Sequence, residues 1–179
     1  MRKSFSWLAF LSFLSVSTLA HALQSTWIQN GKPALENPAR ASNGAFGATL
    51  VLTDDWEGFL KRWDQPTAGF ELVTVRHIGK GQPLMSAVIF TGCKADKSGN
   101  CSVSGDFRVV DPNGKTYADQ RGANIWSLPP LDPMLQLSVE SLGVSLDPPD
   151  PLGTYVLTAT ITDRIAKKTI ELRTEFEAR

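Results

Sequence analysis

Bond-breaking chemistry near neutral pH needs a nucleophile beside a base, a pair of carboxylates, or a metal held by His, Cys, Asp or Glu. This sequence is sparing with all of these. It has two histidines, His21 and His77, and two cysteines, Cys93 and Cys101. A Ser-His-Asp or Cys-His arrangement would have to use His77, because His21 lies in a removable leader described below. No Gly-x-Ser-x-Gly elbow accompanies it, and no glycine-rich phosphate cradle precedes a helix. His77 ends an alternating run beside Ile78 and Gly79, a place that suits a surface or structural imidazole better than a base.

The acidic residues are read the same way. Asp54 with Asp55, and Asp147 with Asp150, are pairs of the kind glycoside hydrolysis uses, but helix capping and turn formation account for all four. Asp96, Ser98 and Asn100 alternate like the start of a calcium loop. Its sixth position is Cys101 instead of Gly and its twelfth is Phe107 instead of Glu, which excludes an EF-hand. Cys93 and Cys101 bracket the polar, turn-rich segment Lys94–Asn100. Seven intervening residues are too many for a redox pair, so a structural disulfide clamping this loop is expected. Loop closure makes it worth about 2.5 kcal/mol. No catalytic residue, cofactor site or metal site is expected.

The elements that must position these residues follow from charge and patterning. Eighteen basic residues balance eighteen acidic ones, so there is no cationic surplus to meet nucleic-acid phosphates. The 42% apolar and 20% charged content is that of a folded chain, and 179 residues suit one domain after a leader. Residues 1–22 have the layout of a signal peptide: Arg2 and Lys3, an apolar stretch from Phe5 to Leu19, then Ala20-His21-Ala22 as the cleavage triplet. The stretch is short and Ser-rich for a membrane span, which needs about 20 apolar residues. Cleavage takes Arg2, Lys3 and His21 away and leaves a mildly acidic chain with His77 as its one histidine. Leader and disulfide together point to export, read here as periplasmic, with extracellular release as the alternative.

Residues 23–44 carry Pro, Gly and Asn too often for a regular element and read as an extended arm, with Trp27 and Ile28 suited to pinning it. Residues 45–179 form the domain. Phe46, Ala48, Leu50 and Leu52 share one side of a first strand. Trp56, Phe59, Leu60 and Trp63 then fall at i, i+3, i+4 and i+7 after the capping Asp54 or Asp55, which predicts a two-turn helix covering an open end of the domain. Phe70–His77 reads as a strand apolar on both sides in its middle, Leu84–Phe90 and Val103–Val110 lead into and out of the cysteine loop, and Leu135–Val139, Tyr155–Thr162 and Ile170–Phe176 alternate with period two. Asp111-Pro112-Asn113-Gly114 is a turn, and Arg164–Lys168 closes the last hairpin. Leu128–Pro133 and Asp147–Pro151 are proline-rich crossovers that protect sheet edges. The expectation is an all-β antiparallel sandwich of about seven or eight strands.

The run Asp150-Pro151-Leu152-Gly153-Thr154-Tyr155, with the alternation that follows it, resembles the corner before strand F of immunoglobulin-like domains. Leu157 stands where antibody domains carry their second core cysteine, so the likeness is to bacterial or macroglobulin-like variants. Phe107–Tyr117 is similar to repeats of such extracytoplasmic sandwiches, and the resemblance covers roughly Phe70 to Phe176. It implies an immunoglobulin-like fold with a tyrosine hydroxyl bonded back to nearby backbone. Some small exported proteins of this look are immunity proteins that neutralise antibacterial effectors such as lipases. The functional expectation is therefore a non-enzymatic, exported protein-binding module. Trp27, Trp56, Arg62, Trp63 and Trp126 are its candidate partner contacts, since Trp and Arg dominate binding hot spots. A carbohydrate-binding or hydrolytic envelope protein, using tryptophans and paired aspartates, is the alternative; an adhesin-type subunit is a third.

Overall fold

The computed structural model describes residues 27–29, 32–65, 74–131 and 134–179. The leader with Ala20 and Ala22, and Phe70–Val73 of the expected third strand, lie outside these residues. The described chain runs β1 (Ile28–Gln29), β2 (Lys32–Pro33), β3 (Arg40–Asn43), β4 (Phe46–Thr53), α1 (Trp56–Asp64), β5 (His77–Ile78) and β6 (Pro83–Thr91). It continues through β7 (Val103–Val110), β8 (Thr116–Trp126), β9 (Gln136–Leu137), β10 (Gly143–Ser145), β11 (Gly153–Asp163) and β12 (Lys168–Ala178). One sheet has the order β10-β6-β4-β3, with β9 also on β6; the other has the order β5-β12-β11-β7-β8. Neighbours are antiparallel except β5, which lies parallel to β12. This is an all-β sandwich with one short helix.

Period-two patterning explains the two layers. Phe46, Ala48, Leu50 and Leu52 of β4 face the interior with Leu84, Val88 and Phe90 of β6, against Phe107, Leu157, Ile161, Leu172 and Phe176 of the second sheet. The odd residues of the first sheet are apolar as well. Val51, Ala87 and Ile89 point to the other side and are buried with Phe59 of α1, around which Trp56, Leu60 and Trp63 pack. The helix therefore lies on the outer face of the first sheet and not over an open end. An apolar face on each side of β4 demands a layer on each side, so all eight of its residues are buried.

Other expectations change for equally local reasons. Arg40–Asn43, within the expected arm, pairs with β4 as β3. Of the expected strand ending at His77, Thr74–Arg76 has no strand structure and only His77–Ile78 pairs, with Glu177–Ala178. Val75 donates to Leu52 O in one sheet, while Glu177 donates to Arg76 O in the other, so this stretch changes sheet from one residue to the next and cannot hold a ladder. The turn Asp111–Gly114 forms as read, with Gly114 N bonded to Asp111 O at 3.0 Å and Gly114 at φ 79°. Cys93 and Cys101 are disulfide-bonded. Tyr155 Oη donates to Pro151 O at 2.9 Å, the backbone bond that the immunoglobulin resemblance implied.

Candidate binding surface

The expected contacts meet different fates. Trp27 is only 7% exposed; its indole N–H faces Ala41 O at 3.4 Å, and the Arg40 guanidinium sits 5.9 Å above its ring. Its ring pins the arm to β3, as its place in the sequence suggested, and little of it is left to meet a partner. Trp56 and Trp63 are partly buried and stack on Phe59, with centroids 5.6 and 6.5 Å apart and planes within 8° and 14° of parallel. Arg62 is exposed, 3.5 Å from Asp55 Oδ2, and Asp55 caps α1 by accepting from Gly58 N at 2.9 Å. Trp126 packs on the inner side of the first sheet, edge-on to Phe90 at 6.0 Å, and its Nε1 donates to Pro129 O at 3.1 Å. The fold thus unites Trp56 and Trp63 in one row on the outer side and places Trp126 on the inner side.

The groups with chemical potential are occupied by this chain's own donors and acceptors. His77 Nδ1 lies 3.1 Å from Glu177 Oε2 at the surface. Arg179 reaches the same carboxylate and holds it below its usual range. Asp150 Oδ2 accepts from Tyr117 Oη and from Asp147 N, each at 2.7 Å, and the Tyr117 bond above all keeps this carboxyl low. Lys80 Nζ donates to the Asp150 carbonyl. Burial first, and then Asp150, push the Tyr117 hydroxyl well above the ordinary phenol range. Asp96 accepts from Ser98 N at 2.8 Å, Ser98 Oγ at 2.6 Å and Asn100 N at 3.1 Å, and the Ser98 hydroxyl leads in lowering it. The alternation that looked like a calcium loop is therefore an Asx-type turn inside the disulfide ring. Among the described residues, no group of three or more His, Cys, Asp or Glu is placed to hold a metal.

Asp163, which the sequence reading did not single out, is fully buried. Its Oδ2 accepts from Lys94 N at 2.7 Å, and its Oδ1 from Ile165 N and Ala166 N at 2.9 Å, tying the disulfide loop to the β11–β12 hairpin. An Asp at a strand end just before a tight reversal is the local signal for such a cap.

A larger surprise is β9. Alternation placed Leu135, Leu137 and Val139 toward a core, and the structure turns Leu135 and Val139 to solvent. Gln136 and Ser138 are buried at 2% and 4% exposure, Val139 is 61% exposed, and Leu137 packs beneath α1. Hydrogen bonds set this register. Ser138 N donates to Val88 O at 2.8 Å, and Val88 N donates to Ser138 Oγ at 3.2 Å. On the far side of the same segment, Val139 N reaches Ile125 O at 3.0 Å and Glu140 N reaches Asn124 O at 3.2 Å. Residues 136–145 thus stitch β6 of one sheet to β8 of the other, and the two-sided pairing overrides the apolar pattern.

As a result, the β8–β9 crossover presents Leu128 (53% exposed), Leu131, Met134 (64%), Leu135 and Val139 to solvent. Cys101 N donates to Leu128 O at 3.0 Å at its start, and Met134 N donates to Leu131 O at 2.8 Å within it. Five exposed apolar side chains within twelve residues make this segment a candidate interaction surface.

No protein-family model and no curated protein matches the chain. Among solved structures it is similar to a family 123 glycoside hydrolase from Clostridium perfringens, at a TM-score of 0.43 and 11% identity, over 74% of this chain and 27% of that one. The chain spans about a quarter of that protein's length, and a likeness this loose carries no argument about chemistry. The disulfide fits an exported protein. Among the described residues, no helix is long and apolar enough to cross a membrane.

Proposed function

We propose that this protein is a non-catalytic, exported module that binds another protein through the β8–β9 crossover. One observation carries the reading: Leu128, Leu131, Met134, Leu135 and Val139 face solvent while Gln136 and Ser138 of the same segment are buried. Turning the apolar side of a strand outward forgoes burial energy of about 1.5–3 kcal/mol per large side chain, which a partner surface would recover. The half-buried tryptophans of α1 extend the candidate surface on the outer face of the first sheet. The test is affinity capture from periplasmic and secreted extract with the mature chain and with a Leu131→Ser/Met134→Ser variant. A stoichiometric partner recovered by the first and lost from the second supports the reading. A partnerless bait, or a partner equally retained by the variant, overturns it.

In its finer form the partner is a secreted antibacterial effector, such as a lipase, and this protein is the immunity factor against it. Cells lacking the gene should then lose in competition with siblings that deliver the effector, and unchanged survival removes that form. A carbohydrate-binding role for the stacked row of Trp56, Phe59 and Trp63 is the second reading. Calorimetry across a panel of glycans and peptidoglycan fragments separates the two, because only a sugar binder gives heat that disappears in Trp56→Ala.

A further inference from the structure

We infer that the Cys93–Cys101 disulfide assembles the crossover, so that the apolar surface becomes ordered only where thiols are oxidised. The inference rests on the crossover being the binding surface, and it adds a condition for that surface to exist. Both ends of the crossover dock on the two half-cystines. At its start, Leu128 O accepts from Cys101 N at 3.0 Å. At its end, Gln136 Oε1 lies 3.9 Å from Cys93 Sγ. Cys93, Cys101 and Gln136 are all buried, so these contacts are packed and shielded from water. Between the two ends, Phe90 both pairs with Gln136 and carries the ring of Trp126, whose indole N–H holds Pro129 O.

The residues of the ring closed by the disulfide are mostly polar and exposed, and apart from the disulfide they are held by the Asp96 turn and by the bond from Lys94 N to the buried Asp163. Reduced, the two sulfurs need van der Waals separation inside a buried site, so Cys93 Sγ cannot keep its place against Gln136, and the main chain of Cys101 that holds Leu128 O shifts with its own side chain. The β11–β12 hairpin meets the disulfide loop at its closed end, through Asp163, while its Gly153–Ala159 and Leu172–Ala178 stretches pair with each other away from it. Oxidation is ordinary thiol–disulfide exchange. The Cys93 and Cys101 thiols give up two electrons and two protons to a disulfide oxidant, which leaves as two thiols. Before export the crossover stays loose, and after export it is set.

Amide hydrogen exchange on the full chain tests this without any partner. Three samples are compared: the oxidised protein, the same protein refolded with a phosphine reductant, and the Cys93→Ser/Cys101→Ser variant. Peptides covering 125–131 and 134–139 should exchange about tenfold faster or more in both disulfide-free samples, while Gly153–Ala159 of β11 and Leu172–Ala178 of β12 keep their protection. Oxidised glutathione added to the reduced wild type should restore the slow exchange. Unchanged protection of 125–131 and 134–139 overturns the inference. So does its loss in step with those stretches of β11 and β12, which would make the disulfide a general staple. Because no partner enters the readout, failure here leaves the protein-binding proposal standing, and failed capture leaves this one standing.

Discussion

In the connection Asp147–Pro151, polar groups close on one another: Asp150 takes Tyr117 and Asp147 N, Lys80 holds the Asp150 carbonyl, and Tyr155 bonds Pro151. In the β8–β9 connection the backbone is anchored, but Leu128, Leu131 and Met134 are left facing water. Both connections are rich in proline and both leave an edge strand, β10 in one case and β8 in the other. Their difference shows that proline sets stiffness and leaves role to the side chains between. Where carboxylates and tyrosines are available the segment knots itself into the fold; where leucines and methionine stand in their place it offers a surface.

That contrast can be broken by mutation, and the largest effect belongs to the knotted side. Tyr155 is fully buried, stacked 5.2 Å from Phe176 and edge-on to Tyr117 at 5.4 Å. Tyr155→Ala should cost about 3–5 kcal/mol in denaturant unfolding, and a cost below about 1 would mean that the corner does not organise the core. Ser138→Ala, which strips Val88 N of its side-chain acceptor, should cost about 1–3 kcal/mol and loosen the neighbouring crossover. Tyr155→Phe keeps the ring and removes only the bond to Pro151, so about 1 kcal/mol is expected.

The Asp150 carboxyl supplies a pH test. Its folded value is lowered, first by Tyr117, so its contribution is complete above the unfolded carboxylate value and is lost as pH falls through the folded one. Wild type should therefore lose stability on acidification more steeply than Asp150→Asn, whose denaturation midpoints over the acid range should form a flatter line. Parallel lines would show that the knot gains nothing from this charge. The smallest effect belongs to the exposed side. Leu131→Ser/Met134→Ser should alter unfolding free energy by no more than about 0.5 kcal/mol, and a larger loss would mean that these side chains serve the fold instead of a surface.

Much of the fold was legible in the residues. The inward rows of β4, β7, β11 and β12, the Asp111–Gly114 turn, the disulfide and the Tyr155 corner all follow from local alternation, turn chemistry and short spacing. The candidate surface was not. Leu135, Leu137 and Val139 read as a core face, and the structure exposes Leu135 and Val139, whereas Trp27 pins the arm as its place in the sequence suggested. The misread segment lies between two partners: β9 is held by β6 on one side while its continuation is held by β8 on the other.

The sequence by itself determined the all-β class, the disulfide partners, the turn positions and the sparing supply of catalytic groups, because each depends on residue types a few positions apart. Only the tertiary structure decided which face of the β9 segment meets water, that α1 lies on the outer side of the first sheet, and that the β8–β9 crossover carries five exposed apolar side chains. Those outcomes depend on hydrogen bonds such as Ser138 to Val88, fifty residues apart, and Val139 to Ile125. A pattern with period two states that a strand has two faces; which face is inside is settled by the backbone partners that claim it.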